Sequence, residues 1–262
     1  MTGAATPATL PAKRAGVSNW LHSYAAMVRW EMTGSRLLLP LIAIVQILSG
    51  AGFVIGFGLL IPSIDEATAL YLSTGAVVMS LILMGLIVTP QLVAQQKMEG
   101  SYDFMWSLPV PRSAASAASL TLGVLVALPG LIAALLVAMW RYDITFDIHL
   151  SVIPATLLTI VCGSLIGSAV AHGMNQPQLT LLFTQIGIFF IIGFSPVSFP
   201  IERLPGWLAT VHEYLPIHHM ALVVRASLTD GLVAVTSQSW IILLVWLVIA
   251  AVITGVVLVR RK

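Results

Sequence analysis

The chain of 262 residues is 58% hydrophobic and only 8% charged, with a net charge of +2 and a mean hydropathy of +1.00. Soluble domains carry about 25% charge, so this composition excludes a water-soluble enzyme, and so small a positive balance excludes a phosphate-binding surface for nucleic acid. A single cysteine, Cys162, excludes a disulfide framework or a Cys-rich metal site.

Taken in chain order, residues 1–16 read as a flexible cytoplasmic tail. Lys13 and Arg14 are followed by no short apolar core with a small-residue cleavage site, so no signal peptide is expected. Residues 17–36 follow as an amphipathic segment. Within Val17–Gly34, Trp20, Leu21, Tyr24, Met27, Val28 and Met32 recur near i, i+3, i+4 and i+7. Asn19, His22, Ser23 and Arg29 fall on other faces. Two tryptophans, Trp20 and Trp30, just ahead of an apolar run point to a helix lying in the cytoplasmic interface. An ordinary helix packed on a partner is the other reading.

Six apolar runs come next, at residues 37–61, 69–93, 113–139, 150–171, 179–199 and 240–259. Each has about the 20 residues that cross hydrocarbon as a helix. None holds Asp, Glu, Lys or Arg, any of which costs roughly 2.5–3.5 kcal/mol at a helix centre. The runs are continuous rather than alternating, which excludes a membrane barrel. The expectation is an all-α membrane protein of six spans. Pro90, Pro129 and Pro154 are tolerated where neighbours satisfy the freed carbonyls. GFVIG at Gly52–Gly56 and GSLIG at Gly163–Gly167 predict close helix contacts.

Between the second and third spans, residues 95–112 read QQKMEGSYDFMWSLPVPR. Charge is mixed with Tyr102, Phe104, Met105, Trp106 and Leu108, the residue types that anchor protein interfaces. Ser101 is placed to cap a short helix after Gly100, with Pro109 and Pro111 stopping it. These residues either dock on a partner or pack under the helix ends. Before the last span, Ile201–Arg225 is apolar but interrupted by Pro205 and Pro216 and by Glu202, Arg203 and Glu213. That defeats a seventh span and predicts two short helices dipping into, or lying along, the outer leaflet.

Six spans put both ends on one side. Lys13, Arg14, Arg29, Arg36, Lys97, Arg112, Arg260, Arg261 and Lys262 fall there, against Arg141, Arg203 and Arg225 opposite. This asymmetry places both termini in the cytoplasm, with Trp140 and Trp240 at the outer interface. Some chemistry is missing. The three lysines, Lys13, Lys97 and Lys262, follow no phosphate-binding glycine loop, so the chain is not expected to be its own ATPase. Spans without ionisable groups argue against an ion-coupled carrier or an intramembrane protease. His212, His218 and His219 lack a further ligand, and Pro216 separates the first from the others, so no metal site is expected.

Two stretches together carry a resemblance. Glu99-Gly100-Ser101-Tyr102-Asp103, then Leu108-Pro109-Val110 and Arg112, resembles the cytoplasmic loop of type-2 ATP-binding-cassette exporter permeases, which typically reads E-G-T-x-E, a Pro and then an Arg. FSPVSFPIERLPGWL, holding Phe199, Pro200, Leu204, Pro205 and Trp207, then Tyr214-Leu215-Pro216-Ile217 and Arg225, is similar to that family's stretch before its last span. Gln95 and Gln96 stand where many members carry charge, and Ser101 and Asp103 replace the commoner Thr and Glu.

The resemblance covers nearly the whole chain. It implies a permease subunit paired with a second six-span permease, identical or paralogous, and with two copies of a nucleotide-binding ATPase subunit. ATP and Mg would be bound by that partner and no cofactor by this chain. Glu99, Gly100, Ser101, Tyr102, Asp103, Met105, Trp106, Pro109 and Arg112 would form the ATPase-coupling loop. Phe199, Pro200, Leu204, Pro205, Trp207, Pro216 and Arg225 would form an outer re-entrant gate. Trp20, Tyr24, Arg29 and Trp30 would lie in the flanking interfacial helix among membrane lipids. The apolar spans with scattered Thr74, Ser80, Thr159, Thr184 and Gln185 suit a lipid, an amphiphilic drug or a lipid-linked glycan as cargo. The alternatives are a haem-export or cytochrome-maturation permease and a membrane assembly subunit without transport.

Overall fold

The computed structural model describes residues 16–61, 64–233 and 236–260. Residues 1–15 of the expected tail 1–16, with Lys13 and Arg14, together with Arg261 and Lys262, lie outside them, as do the side chains of Trp106 and Arg260. The protein is 83% helical, and no strand occurs among the described residues. Among the described residues ten α-helices run in order: α1 Val17–Gly34, α2 Leu38–Leu59, α3 Glu66–Glu99, α4 Ser101–Ser107 and α5 Arg112–Tyr142, then α6 Val152–Gly173, α7 Pro177–Phe194, α8 Gly206–Tyr214, α9 Pro216–Leu228 and α10 Ser237–Arg260. A 3₁₀ turn, Ile201–Arg203, leads into α8. Among the described residues, α2, α3, α5, α6, α7 and α10 are the helices long and apolar enough to cross a membrane. The fold is that of an all-α, multi-pass membrane protein.

The helix ends follow local chemistry and correct two expected boundaries. The fifth span stops at Phe194 rather than residue 199, because Pro196 disfavours helical backbone at Ser195 before it. The second span does not end at residue 93. It runs on through Lys97 to Glu99, so Gln95–Glu99 is helix rather than loop, and the helix ends only where Gly100 takes a left-handed φ of 75°. Within α3, Met84–Val88 is a π-helical turn, where Thr89 donates its backbone N–H and its Oγ1 (3.0 Å) to the Met84 carbonyl. Pro90 has no N–H to continue the regular ladder, and the extra residue absorbs that loss.

At the π-turn α3 crosses α6 at backbone contact. A Cβ at Gly167 would stand 2.5 Å from the Gly85 carbonyl oxygen and 2.8 Å from Pro90 Cδ, and one at Gly85 would meet the backbone of Gly163 and Ser164 at 2.8 Å. The GSLIG motif is therefore a true crossing. GFVIG is not: nothing lies within 4 Å of Gly52 or Gly56, and α2 instead presents Gly50 to the Gly130 backbone of α5 and Gly58 to the Tyr142 hydroxyl. The contacting glycines, Gly50 and Gly58, lie two residues from that motif and so on the opposite face of α2.

α3 is the hub. In its most apolar window 61% of residues are buried, against 17% in α2, α7 and α10, whose large outward side chains (Leu41, Leu48, Phe189, Val252) suit a hydrocarbon surround. Val77, Val78, Met79, Leu81 and Ile82 of α3 pack with Met220, Val224 and Leu228 of α9 in one core. α1 and α4 gather at the bundle end where α3 and α6 finish and α5 starts, and α8 and α9 sit at the opposite end.

Candidate functional site: a short helix under the bundle and a latch above it

The resemblance concentrates on two places, and the fold sets them at opposite ends of α3. At the first, Gly100 turns the chain from α3 directly into α4. Ser101 does not cap α4 as expected. Its hydroxyl donates back to the Gln96 carbonyl at 3.3 Å, and Gly100 itself holds the N-cap position. Pro109 and Pro111 follow the end of α4 as predicted, and α5 begins after Pro111.

The side chains of this segment divide between two directions. Tyr102 is buried and points inward, its ring edge-on to His172 of α6 with centroids 5.6 Å apart. Lys97 Nζ stands 5.3 Å from the same ring and donates to the Ala171 and Met174 carbonyls at 2.5 and 2.8 Å. A cation thus satisfies the C-terminal carbonyls of α6, where the helix dipole is negative. Met105 packs with Met27 of α1 and Ala115 and Ala118 of α5. Phe104 and Asp103 are exposed, Phe104 lying 5.9 Å from the ring of Trp30. Glu99 is exposed and accepts from Gln95 Nε2 at 2.8 Å. Pro109 is exposed, and Arg112 donates to the Leu258 carbonyl of α10. Tyr102 and Met105 are therefore anchors, while Asp103 and Phe104 are what the short helix offers outward.

α1 lies along the start of α5. Trp20 Nε1 donates to Ser113 Oγ at 3.0 Å and its ring stacks on Tyr24, whose hydroxyl pairs with Thr121 Oγ1 at 2.8 Å. Ser119 Oγ donates to Glu31 at 2.5 Å. Burial pushes the Glu31 carboxyl up to about 7, against the opposing effect of that hydrogen bond. Arg29 and Trp30 are exposed.

At the opposite end the expected gate residues are not equivalent. Arg225, counted in sequence among the loop charges of the outer side, is 1% exposed and belongs to the buried helix α9. Its Nη2 donates to the Val197 carbonyl at 2.6 Å, its Nε donates to Thr74 Oγ1 at 3.1 Å, and its guanidinium lies 3.6 Å over the Tyr71 ring. Burial lowers its pKa to about 10, which leaves it charged at neutral pH. The peptide it grips is itself seated on a glycine: a Cβ at Gly75 would stand 2.7 Å from the Val197 carbonyl oxygen. Pro216 is buried at the start of α9, whereas Trp207 on α8 is 71% exposed. Phe199, Leu204, Pro205 and Trp207 line an open cleft of about 560 Å³ with Phe190 and Phe194, and Pro200 leads into the 3₁₀ turn.

The three histidines lie beside this latch. His219 Nε2 donates to the Glu213 carbonyl at 2.8 Å, and the His218 ring is 5.3 Å from that of His219. Burial first, then the neighbouring His219, His212 and Arg225, holds His218 down to about 4, and burial lowers His212. No group of three metal-ligating residues occurs among the described residues. Sequence reasoning missed Tyr71, Thr74 and Gly75 as the seat of Arg225 and Lys97 as the cap of α6. A lysine one turn before the end of an apolar helix is the signal that could have found the second; nothing local marks the first.

A family model described as ABC-2 type transporter matches residues 69–229, from α3 through α9. A comparison with curated proteins finds no match.

Proposed function

The chain belongs to the ABC-2 type transporter family, and from that premise we propose that it is the membrane half of an exporter whose motion enters through α4. As a permease component of an ABC transporter it works with an ATPase subunit. The proposed assembly has two such subunits and a second six-span permease, identical or paralogous, with ATP and Mg on the ATPase. Both termini and α4 face the cytoplasm in this reading, in keeping with the nine-to-three sidedness of Lys and Arg. α1 lies in the inner interface, and α8 and α9 near the exit. The cargo is hydrophobic or amphiphilic, a drug, a lipid or a lipid-linked glycan, and leaves the cytoplasm or inner leaflet.

One observation carries the reading: the placement of Tyr102. A short helix hung on Gly100, with its tyrosine set between Lys97 and His172, cannot be displaced without moving the ends of α3 and α6 together. Packed helices pass such a push as rigid bodies. Asp103 and Phe104 are left facing outward for the ATPase. Co-purification with that subunit tests this. Asp103→Arg combined with Phe104→Ala should abolish association while the permease still extracts as a folded species. Tyr102→Ala should keep association and ATP hydrolysis but lose transport. Full association and transport in both variants would overturn the coupling role of α4.

A further inference from the structure

A cavity of about 330 Å³ lies inside the single subunit, lined by α1, α2, α3, α5 and α6 with Ser101 and Met105 of α4 and Thr254 of α10, and it falls within the size range of small-molecule pockets. It is graded along its length. Deep in the bundle its wall is Leu39, Ile42, Met84 and Val126, and toward the α4 end it is Glu31, Gln95, Gln96 and Glu99 with the hydroxyls of Ser116 and Ser119. The charge is one-sided. Two carboxylates line it and no lysine or arginine does.

Glu31 is the unusual member. It is partly buried, held in place by Ser119 Oγ at 2.5 Å, and no lysine or arginine in the wall faces it. Trp30 supplies an aromatic face beside it. A buried carboxylate without a counter-ion is costly, and a cation that brings its own apolar body offsets that cost while filling the apolar end. We infer that this cavity is a binding site for a lipophilic organic cation, with the charge at Glu31 and the apolar body between α2, α3 and α5. As cargo recognition, it rests on the permease reading above; as binding, it does not. The same chemistry could be presented by a free cation or by the amine headgroup of a membrane lipid.

The titratable groups sharing the cavity are Glu31 from α1, Glu99 from α3 and His172 from α6; α2, α4, α5 and α10 contribute none to its wall. Burial holds the Glu31 carboxyl near pH 7, so a bound cation must displace a proton below that pH. Binding therefore weakens as pH falls through 7.

Tetraphenylphosphonium and tetraphenylborate are a matched test pair, alike in shape and opposite in permanent charge. Equilibrium dialysis uses the purified full-length chain in phosphatidylglycerol nanodiscs without nucleotide or ATPase. Tetraphenylphosphonium should bind at least about tenfold more tightly than tetraphenylborate, and Glu31→Gln should remove about tenfold of that affinity at pH 8. Wild-type affinity should drop between about pH 8 and pH 6, and that of Glu31→Gln should stay flat. Gly123→Leu should also abolish binding. Gly123 lines the cavity, and an added Cβ there meets only Ser164 Oγ at 3.8 Å, so the variant fills space rather than breaking the bundle.

Adding phosphatidylethanolamine separates the two sources. Competition with tetraphenylphosphonium in the wild type assigns the site to a lipid amine, and its absence assigns it to a free cation. Equal binding of both probes, or unchanged binding in Glu31→Gln, overturns the site. Because no ATPase takes part, that failure would leave the permease reading standing, and lost ATPase association would leave the cavity result standing.

Discussion

The two ends of α3 are built on different principles. At the α9 end, a charge that water would otherwise solvate is enclosed completely: Arg225 is 1% exposed and reaches Val197, Thr74 and Tyr71 at once. At the α4 end, a seven-residue helix turns on one glycine and touches the bundle through Tyr102 and Met105. The first arrangement over-determines its geometry, so breaking any part leaves buried polar groups without partners. The second ties its helix to the bundle through those two anchors and leaves its other face outward. A motion entering at α4 would thus pass through the Tyr102 anchor to the ends of α3 and α6 and meet a fixed arrangement at the far end.

Arg225→Ala should break this comparison most sharply. It orphans the Val197 carbonyl and opens a cavity, costing roughly 3–4 kcal/mol, visible as a large loss in thermal unfolding in detergent. Gly167→Leu comes next, since the Gly85 carbonyl at 2.5 Å is backbone and cannot move aside, with about 1–3 kcal/mol lost in the same assay. Tyr102→Ala should shift bundle unfolding by less than Arg225→Ala does, because it leaves the Arg225 network and the crossings of the long helices untouched. Its effect should appear in transport instead. If it destabilised the bundle as much as Arg225→Ala, the contrast between the ends would be wrong.

The two ends should also answer pH in opposite senses. Glu31 binds its proton more tightly folded, at about 7, than at its ordinary 4.5, so its contribution to stability is full below 4.5 and lost as pH rises through 7. His218 is held down to about 4 from 6.5, so its contribution is full above 6.5 and lost as pH falls toward 4. Unfolding midpoints across that range should flatten on the alkaline side in Glu31→Gln and on the acid side in His218→Gln. The smallest effect is expected for Gly56→Leu, which meets nothing within 4 Å and should leave the unfolding of the isolated subunit within about 0.5 kcal/mol of wild type.

Much of the architecture was legible because lipid allows few solutions. Apolar runs of about 20 residues without charge had to be helices, and the prolines and glycines around α4, α8 and α9 marked where helices could not continue. The helix Val17–Gly34 and the paired short helices α8 and α9 were found for this reason. Residues 95–99 misled because polar residues ending an apolar run look like a loop, although α3 simply extends beyond the apolar stretch and spends Lys97 on the end of α6. Ser101 misled because a capping residue type was read without the glycine beside it, whose left-handed backbone already made the turn.

Sequence alone determined the class, the number of spans and the segments that differ from a plain bundle, because these follow from local hydropathy, charge and backbone restriction. Only tertiary structure decided where the scarce charges went. Arg225 and Thr74 are 151 residues apart, Glu31 and Ser119 are 88, and Lys97 and Ala171 are 74. A buried charge is defined by what surrounds it, and in each case helices distant in sequence supply the surroundings.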